Sequence, residues 1–335
     1  RHTDKSLKKL SKFFSLSLYM TNLHRCRVCG GSLYAEQLIV FQNMPDAAQF
    51  LPNKDALVTD KGTDLEVYQC SCCSLVQLIC EPVHYYQEVV RSSAFSEEMK
   101  RFRLSQFSTL VHDYSLKGKT AIEIGCGCGE YLELLKECGL QAHGIEYSSE
   151  SVQTCLGKNF PVSRGFVNDE NYQIKNGPFD LFFILNFLEH LPTPQITLRG
   201  ISNNLNEDAI GLVEVPNFDM ILEKGLFSEF IHDHLLYFTT ETLSLLLSNN
   251  GFDVLECCPI WHDYIISALV RKKACANLTF LHQRQQELKT NVDQFISQFD
   301  SGRIAIWGAG HQSLANISLL GLSSSIAYVV DSAPF

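Results

Sequence analysis

Two short runs in this 335-residue chain place histidine beside acid in a way that suits proton transfer. In Phe230-Ile231-His232-Asp233-His234-Leu235-Leu236-Tyr237-Phe238 an aspartate stands between two histidines, and in Asn186-Phe187-Leu188-Glu189-His190 a histidine follows an apolar segment. Histidine ordinarily titrates near pH 6.5, so it can take a proton at neutral pH, and an adjacent carboxylate can hold its ring and stabilise the charged form. His234 is the candidate base, Asp233 its acidic partner and His190 the second histidine. The His-Asp-His run also reads as a metal site or a helix-capping cluster, but the intervening carboxylate and the lack of a third nearby ligand argue against a catalytic metal. His190, within Leu-Glu-His-Leu-Pro, reads equally as a structural histidine at a helix start.

The cysteines suggest different chemistry. Cys26-Arg27-Val28-Cys29-Gly30 and Cys70-Ser71-Cys72-Cys73 are two knuckles of the C-x-x-C kind. Four thiolates at about 2.3 Å complete a tetrahedral zinc site, which gives a small segment stability that its own core cannot supply. The expected ligands are Cys26, Cys29, Cys70 and Cys73, holding a structural Zn²⁺. Cys72 competes with its neighbours, although only Cys70 and Cys73 keep the two-residue spacing that turns both sulfurs inward. Unliganded thiols in a small β domain are the alternative.

Both histidine runs follow segments that read as strands, and the strands are organised around Ala121-Ile122-Glu123-Ile124-Gly125-Cys126-Gly127-Cys128-Gly129. Residues 119–124 read as a buried strand and Glu130 to Cys138 as a helix that Gly139 ends. Glycines 125, 127 and 129 allow positive φ and close approach of a ligand to the helix N-terminus, while Glu146 closes the next apolar segment, where a carboxylate can accept from ribose hydroxyls. A nicotinamide dinucleotide and S-adenosylmethionine both bring an adenosine to such a unit. A dinucleotide fingerprint reads G-x-G-x-x-G and sets a pyrophosphate on the helix dipole; here an acid precedes the glycines, and a carboxylate suits an amino-acid ammonium better. The run Glu123 to Gly129 with Glu146 resembles the cofactor loop and ribose-binding acid of class I S-adenosylmethionine-dependent methyltransferases. The cofactor contacts expected from it are Glu123, Gly125, Gly127, Gly129, Glu146 and Asn186.

Length and composition narrow the function class. A chain of this length divides into two or three domains at roughly 100–200 residues each, and 45% hydrophobic residues can fill them. With 27 basic against 37 acidic residues the formal charge is −10, which repels a phosphate backbone and leaves small-molecule chemistry without a nucleic-acid partner. The 13 cysteines are scattered through α/β segments and read as reduced thiols of a cytoplasmic protein. No apolar run reaches the about 18 residues that span a bilayer, so no membrane partner is expected. Residues 1–19 read either as an upstream extension before Met20 or as a basic amphipathic arm.

Three domains follow from the rhythm of the sequence: 20–81 around the cysteines, 82–273 around the glycine turn, and 274–335. After a helical lead-in, residues 119–124, 141–146, 179–185 and 210–215 read as parallel strands with crossovers, and 251–258 with 264–270 as an antiparallel hairpin, too close for a crossover helix. The lead-in aromatics, Tyr85 and Phe107 among them, read as packing residues outside the site. Arg303-Ile304-Ala305-Ile306-Trp307-Gly308-Ala309-Gly310, a helix and a strand ending at Asp331 form a second nucleotide-fold opening. Its glycine turn reads equally as a ligand site or a structural turn, and one βαβ unit cannot cover both faces of a sheet, so the reading expects the protein to continue past Phe335. The fold class expected is α/β: a class I methyltransferase Rossmann-like sheet, a small N-terminal zinc-binding domain, and the start of a truncated C-terminal Rossmann-like domain.

Four cysteines, then the glycine-turn domain with His190 and the His-Asp-His run, then the Trp-Gly-Ala-Gly opening, together resemble the sugar C-methyltransferase family over about residues 24 to 335. That family methylates a carbon of a nucleotide-linked deoxy-keto-sugar. Its run before the base reads Tyr-His-Glu-His, so the resemblance puts the base on His234 and the acid on Asp233, with Ile231 where the family has tyrosine. It implies that His234 removes a proton beside the sugar ketone, that His190 or a nearby donor stabilises the enolate oxygen, and that the carbon attacks the methyl of S-adenosylmethionine. O- or N-methylation of another small metabolite by the same histidine is the alternative, and a non-catalytic zinc-containing scaffold is a third reading.

Overall fold

Strands in the centre of the chain form where β-branched and aromatic residues run without interruption, because both faces of the sheet they build are covered. The computed structural model describes residues 24–48, 52–58, 60–88, 96–300 and 303–332, and residues 1–19 with Met20 lie outside them. The N-terminal part carries β1 (Ile39–Met44), β2 (Thr63–Gln69) and β3 (Val76–Leu78), paired antiparallel in that order. The central sheet follows with β4 (Thr120–Ile124), β5 (Gln141–Glu146), β6 (Val162–Arg164), β7 (Phe179–Leu185) and β8 (Leu205–Pro216). The two-residue strand β9 (Leu236–Tyr237) precedes the hairpin β10 (Phe252–Ile260) and β11 (Ile265–Lys272).

The sheet order is β10-β11-β8-β7-β4-β5-β6. All neighbours among β4 to β8 run parallel, whereas β11 lies antiparallel to both β10 and β8. This is the class I Rossmann-like arrangement that the methyltransferase resemblance implied, with the hairpin where it was expected. Side chains alternate between two cores: Ile122, Ile124, Phe182, Ile184 and Val213 pack on one face, and Ala121, Leu181, Phe183, Leu185 and Leu212 on the other. The short β6 escapes sequence reading, since three residues carry no period. No helix among the described residues is long and apolar enough to cross a membrane.

The cysteine-bearing segment is joined to the central unit by backbone pairing. β9 adds to the edge of β3, with Val76 opposite Tyr237 and Gln77 opposite Leu236, which completes a four-stranded sheet. The chain accordingly separates into two compact units that meet between Lys273 and Ala274. The second contains the helix Thr279–Ile296, β12 (Ala305–Trp307), the helix His311–Leu319 and β13 (Tyr328–Val330), with β12 and β13 parallel. Its glycine turn is closed internally, as the Ala309 amide donates to Asp331 Oδ2 at 2.6 Å.

The lead-in becomes the helix Glu97–Asp113, started by Ser96, whose hydroxyl accepts from the Met99 amide, and by two glutamates in its first turn. It buries Phe107, Leu110 and Val111, and also Arg103. Arg103 forms an ion pair with Glu214 of β8, both fully buried. Gln106 bridges them, accepting from Arg103 Nη1 at 2.8 Å and donating to Glu214 Oε1 at 2.6 Å, and Ser267 adds a bond of 3.1 Å. Removing one member of such a pair leaves an uncompensated buried charge. Arg103→Leu should therefore cost on the order of 3–5 kcal/mol in urea unfolding of the full chain, and the double variant with Glu214→Leu should lie much closer to the parent.

Candidate active site

The glycine turn takes the shape its sequence requires. Gly125, Gly127 and Gly129 have φ of 71°, 53° and 82°, values that strain any residue with a Cβ. At Gly129 a Cβ would also meet Cys155 Sγ at 3.1 Å. Glu146, at the end of β5, anchors the turn: Oε2 accepts from the Gly127 amide and Oε1 from the Ser148 amide, both at 2.9 Å. It lines a narrow cleft with Gly125, Ile145, Tyr147, Phe166 and Phe187. Glu123 is buried at the end of β4, beside the turn. Asn186 follows β7 with φ of 52° and is fixed by its amide on the Glu214 carbonyl at 2.9 Å. The structure thus brings all six expected cofactor contacts to the carboxyl ends of β4, β5 and β7, where ligands bind in such sheets.

Both histidine runs come together at the same end of the sheet. The Leu235 amide donates to the Glu189 carbonyl at 2.9 Å, and His190 Nδ1 lies 2.8 Å from the Asp233 carbonyl. A carbonyl only accepts, so Nδ1 carries the proton and Nε2 the lone pair. The rings of His190 and His234 meet edge to face, 4.8 Å between centroids. Burial, and then the neighbouring His190, push the His234 pKa well below its ordinary value; burial lowers His190 too, against the pull of the Asp233 carbonyl. His234 is therefore neutral at physiological pH and able to accept a proton.

Two features differ from the sequence expectation. The Asp233 carboxylate does not brace the His234 ring: it accepts from Tyr85 Oη at 2.7 Å and from the Ala48 amide at 3.1 Å, and its backbone carbonyl orients His190 instead. Tyr85, read from sequence as a packing residue, thus belongs to the site's framework; the signal was that a buried tyrosine hydroxyl needs a polar partner. His232 has no free nitrogen. Its Nδ1 and Nε2 lie 2.8 Å and 2.9 Å from the carbonyls of Asp46 and Glu81, so both must donate, and the adjacent Cys80 together with those carbonyls raises its pKa to about 9. It is a charged clamp at neutral pH. Its stabilisation is complete below the ordinary pKa of about 6.5 and is lost as pH rises through about 9.

The cysteine knuckles converge as their spacing implied. Sγ atoms of Cys26 and Cys73, and of Cys29 and Cys70, are 3.5 Å apart, and all four sulfurs fall within 4.8 Å of one another. Sulfurs on a zinc ion at about 2.3 Å stand roughly 3.8 Å apart in a tetrahedron, so the donor set fits. Backbone amides of Val28 and Cys29 point at Cys26 Sγ, and those of Cys72 and Cys73 at Cys70 Sγ, which suits thiolates. Cys72 is exposed and its sulfur stands outside the cluster.

Residues 96–257 match the family of methyltransferase domains. The order and direction of the strands there are those of a class I Rossmann-like methyltransferase sheet. Beyond the domain, the chain is similar to the C-methyltransferase NovU of Streptomyces niveus, 24% identical over 244 residues that cover 70% of this chain and 57% of that protein. A ubiquinone biosynthesis O-methyltransferase of Methylococcus capsulatus is 32% identical over 85 residues, covering 24% of this chain and 36% of that one. The chain thus spans little more than half of the first relative and about a third of the second. Among solved structures it is similar to magnesium protoporphyrin IX methyltransferase from Synechocystis PCC 6803 with bound SAH, at a TM-score of 0.43 and 14% identity over 55% of this chain and 90% of that one.

Because Glu146 holds the glycine turn through both of its carboxylate oxygens, Glu146→Ala should weaken S-adenosylmethionine binding. Loss of charged hydrogen bonds worth about 1.5–3 kcal/mol corresponds to roughly tenfold to a hundredfold in Kd, measurable by isothermal titration calorimetry.

Proposed function

We propose that the protein transfers a methyl group to the carbon beside the ketone of a nucleotide-linked deoxy-keto-sugar, through an enolate formed by a base. The observation that carries this reading is the neutral, desolvated His234 set edge to face with His190, at the strand ends that bear the glycine turn. Similarity to a C-methyltransferase over a stretch longer than the methyltransferase domain itself supports it. S-adenosylmethionine, held by the glycine turn, Glu123, Glu146 and Asn186, supplies the electrophilic methyl group. His234 accepts the proton from the carbon, the electron pair moves toward the keto oxygen, and the His190 side of the pair faces the charge that develops there. Such a base is required because an unactivated C–H is too weak an acid for direct attack. Asp233, through its carbonyl, keeps His190 in a fixed tautomer.

The same base would take a proton from a hydroxyl or amine, and similarity to an O-methyltransferase over 85 residues favours that as the second reading. Cys26, Cys29, Cys70 and Cys73 hold one structural Zn²⁺ in this proposal, and the free thiols along the chain suit a reducing, cytoplasmic setting.

His234→Asn should retain S-adenosylmethionine binding and lose methyl transfer by 10² to 10⁴, assayed on a panel of nucleotide-linked keto-sugars. Mass spectrometry and NMR of the product decide between the readings: a new methyl on oxygen or nitrogen excludes the enolate route. Metal analysis should find one zinc per chain, lost in Cys73→Ser and kept in Cys72→Ser.

A further inference from the structure

Glu189 takes no part in the scheme above, yet it is the most unusual group near it. Its side chain is 2% exposed, its Oε2 has no hydrogen-bond partner among the described residues, and its Oε1 lies 3.8 Å from His190 Nε2. Its nearest donor atom, those of His190 and those of His234 fall within 4.8 Å of one another. A carboxylate left without partners in such a place is costly, and the group avoids the cost by keeping its proton. Burial pushes the Glu189 pKa to about 8, against a smaller pull from its own backbone N–H. His190, being neutral as well, does not form an ion pair with it at rest.

The tautomer of His190 gives this proton a use. With Nδ1–H committed to the Asp233 carbonyl, neutral His190 offers only a lone pair at Nε2 and cannot donate to a keto oxygen. Resting on the function proposed above, we infer that Glu189 is the proton store of the site: it hands its carboxyl proton to His190 Nε2, turning that ring from acceptor into donor as the enolate forms. The Glu189 O–H bond breaks and the His190 Nε2–H bond forms, leaving carboxylate beside imidazolium. The electron pair of the substrate C–H bond moves into the enolate while His234 takes that proton. Once carbon has received the methyl group and the carbonyl has re-formed, the Nε2 proton returns to Glu189 and His234 releases its own to solvent. His190, with 22% of its side chain exposed, can touch substrate; Glu189 acts through it and is a positioning residue.

Among the described residues, the ionisable groups that face Glu189 are His190, His234 and Tyr264. Both histidines titrate below their ordinary value, and Tyr264 titrates above its own, chiefly through burial and its bond to Glu229. A limb near pH 8 therefore belongs to Glu189. The protonated form persists below that pH and is lost above it.

The first test needs no sugar. Infrared titration of the zinc-loaded full chain should show a protonated carboxylic acid at pH 7 that disappears near pH 8 and is absent from Glu189→Gln. With a nucleotide-linked deoxy-keto-sugar that the wild type methylates, Glu189→Gln should lower kcat on the order of 10²-fold with little change in KM. Glu189→Asp, which keeps an acid, should restore part of the rate and, should the Gln variant fail to fold, carries the comparison alone. A carboxyl already ionised at pH 6 would overturn the proposal. So would a Gln variant within about threefold of wild type, or a second bound metal that Glu189→Gln removes, since a metal ligand must be ionised. If no keto-sugar is methylated by the wild type, the functional reading fails while the titration still decides the state of Glu189.

Discussion

Two hydrogen bonds set the geometry on which the rest depends: the Leu235 amide to the Glu189 carbonyl, and His190 Nδ1 to the Asp233 carbonyl. They fasten the run before β9 to the loop after β7, so that histidines separated along the chain meet ring to ring. They also decide protonation without any charged partner, because a backbone carbonyl dictates which ring nitrogen bears hydrogen. His232, two residues from His234, meets two such carbonyls and becomes a cation. Neighbouring histidines of one segment are thus set to opposite charge states by their surroundings: Cys80 and two carbonyls raise His232, while burial and His190 lower His234.

The central strands were legible because each is an apolar run bounded by glycine, proline or polar turns, and the hairpin because no crossover fits between its segments. The glycine turn was legible for a similar reason: positive φ at three alternate positions leaves few other residues possible. What the sequence concealed are contacts between distant segments. Nothing in Ile-His-Asp-His tells which histidine faces carbonyls from Asp46 and Glu81, or that the aspartate turns to Tyr85 and Ala48. Likewise Arg103 resembles any charged residue of a polar helix until Glu214 is placed opposite it.

That ion pair sits beside the apolar contacts that seat the lead-in helix on the sheet. Phe107 packs edge to face on Phe183 of β7 and on Tyr131 of the helix after the glycine turn, while the Arg103 guanidinium lies over Tyr131. The lead-in therefore touches both the central strand and the helix that begins at the glycine turn, and its position is fixed by this polar geometry together with the buried Phe107, Leu110 and Val111.

The two-residue strand β9 carries a consequence for how such proteins can be divided. Composition suggests a break near residue 81, yet the edge of β3, the Ala48 amide and the carbonyls of Asp46 and Glu81 all lie on one side of it and serve residues 232 to 237 on the other. A recombination event or a cloning boundary placed there would separate a cysteine module from a methyltransferase module in sequence, but it would also divide one four-stranded sheet and strip the histidine run of its scaffold. The structural unit is the pair: the N-terminal module brings the strand edge and the main-chain groups that hold residues 232 to 237 in place.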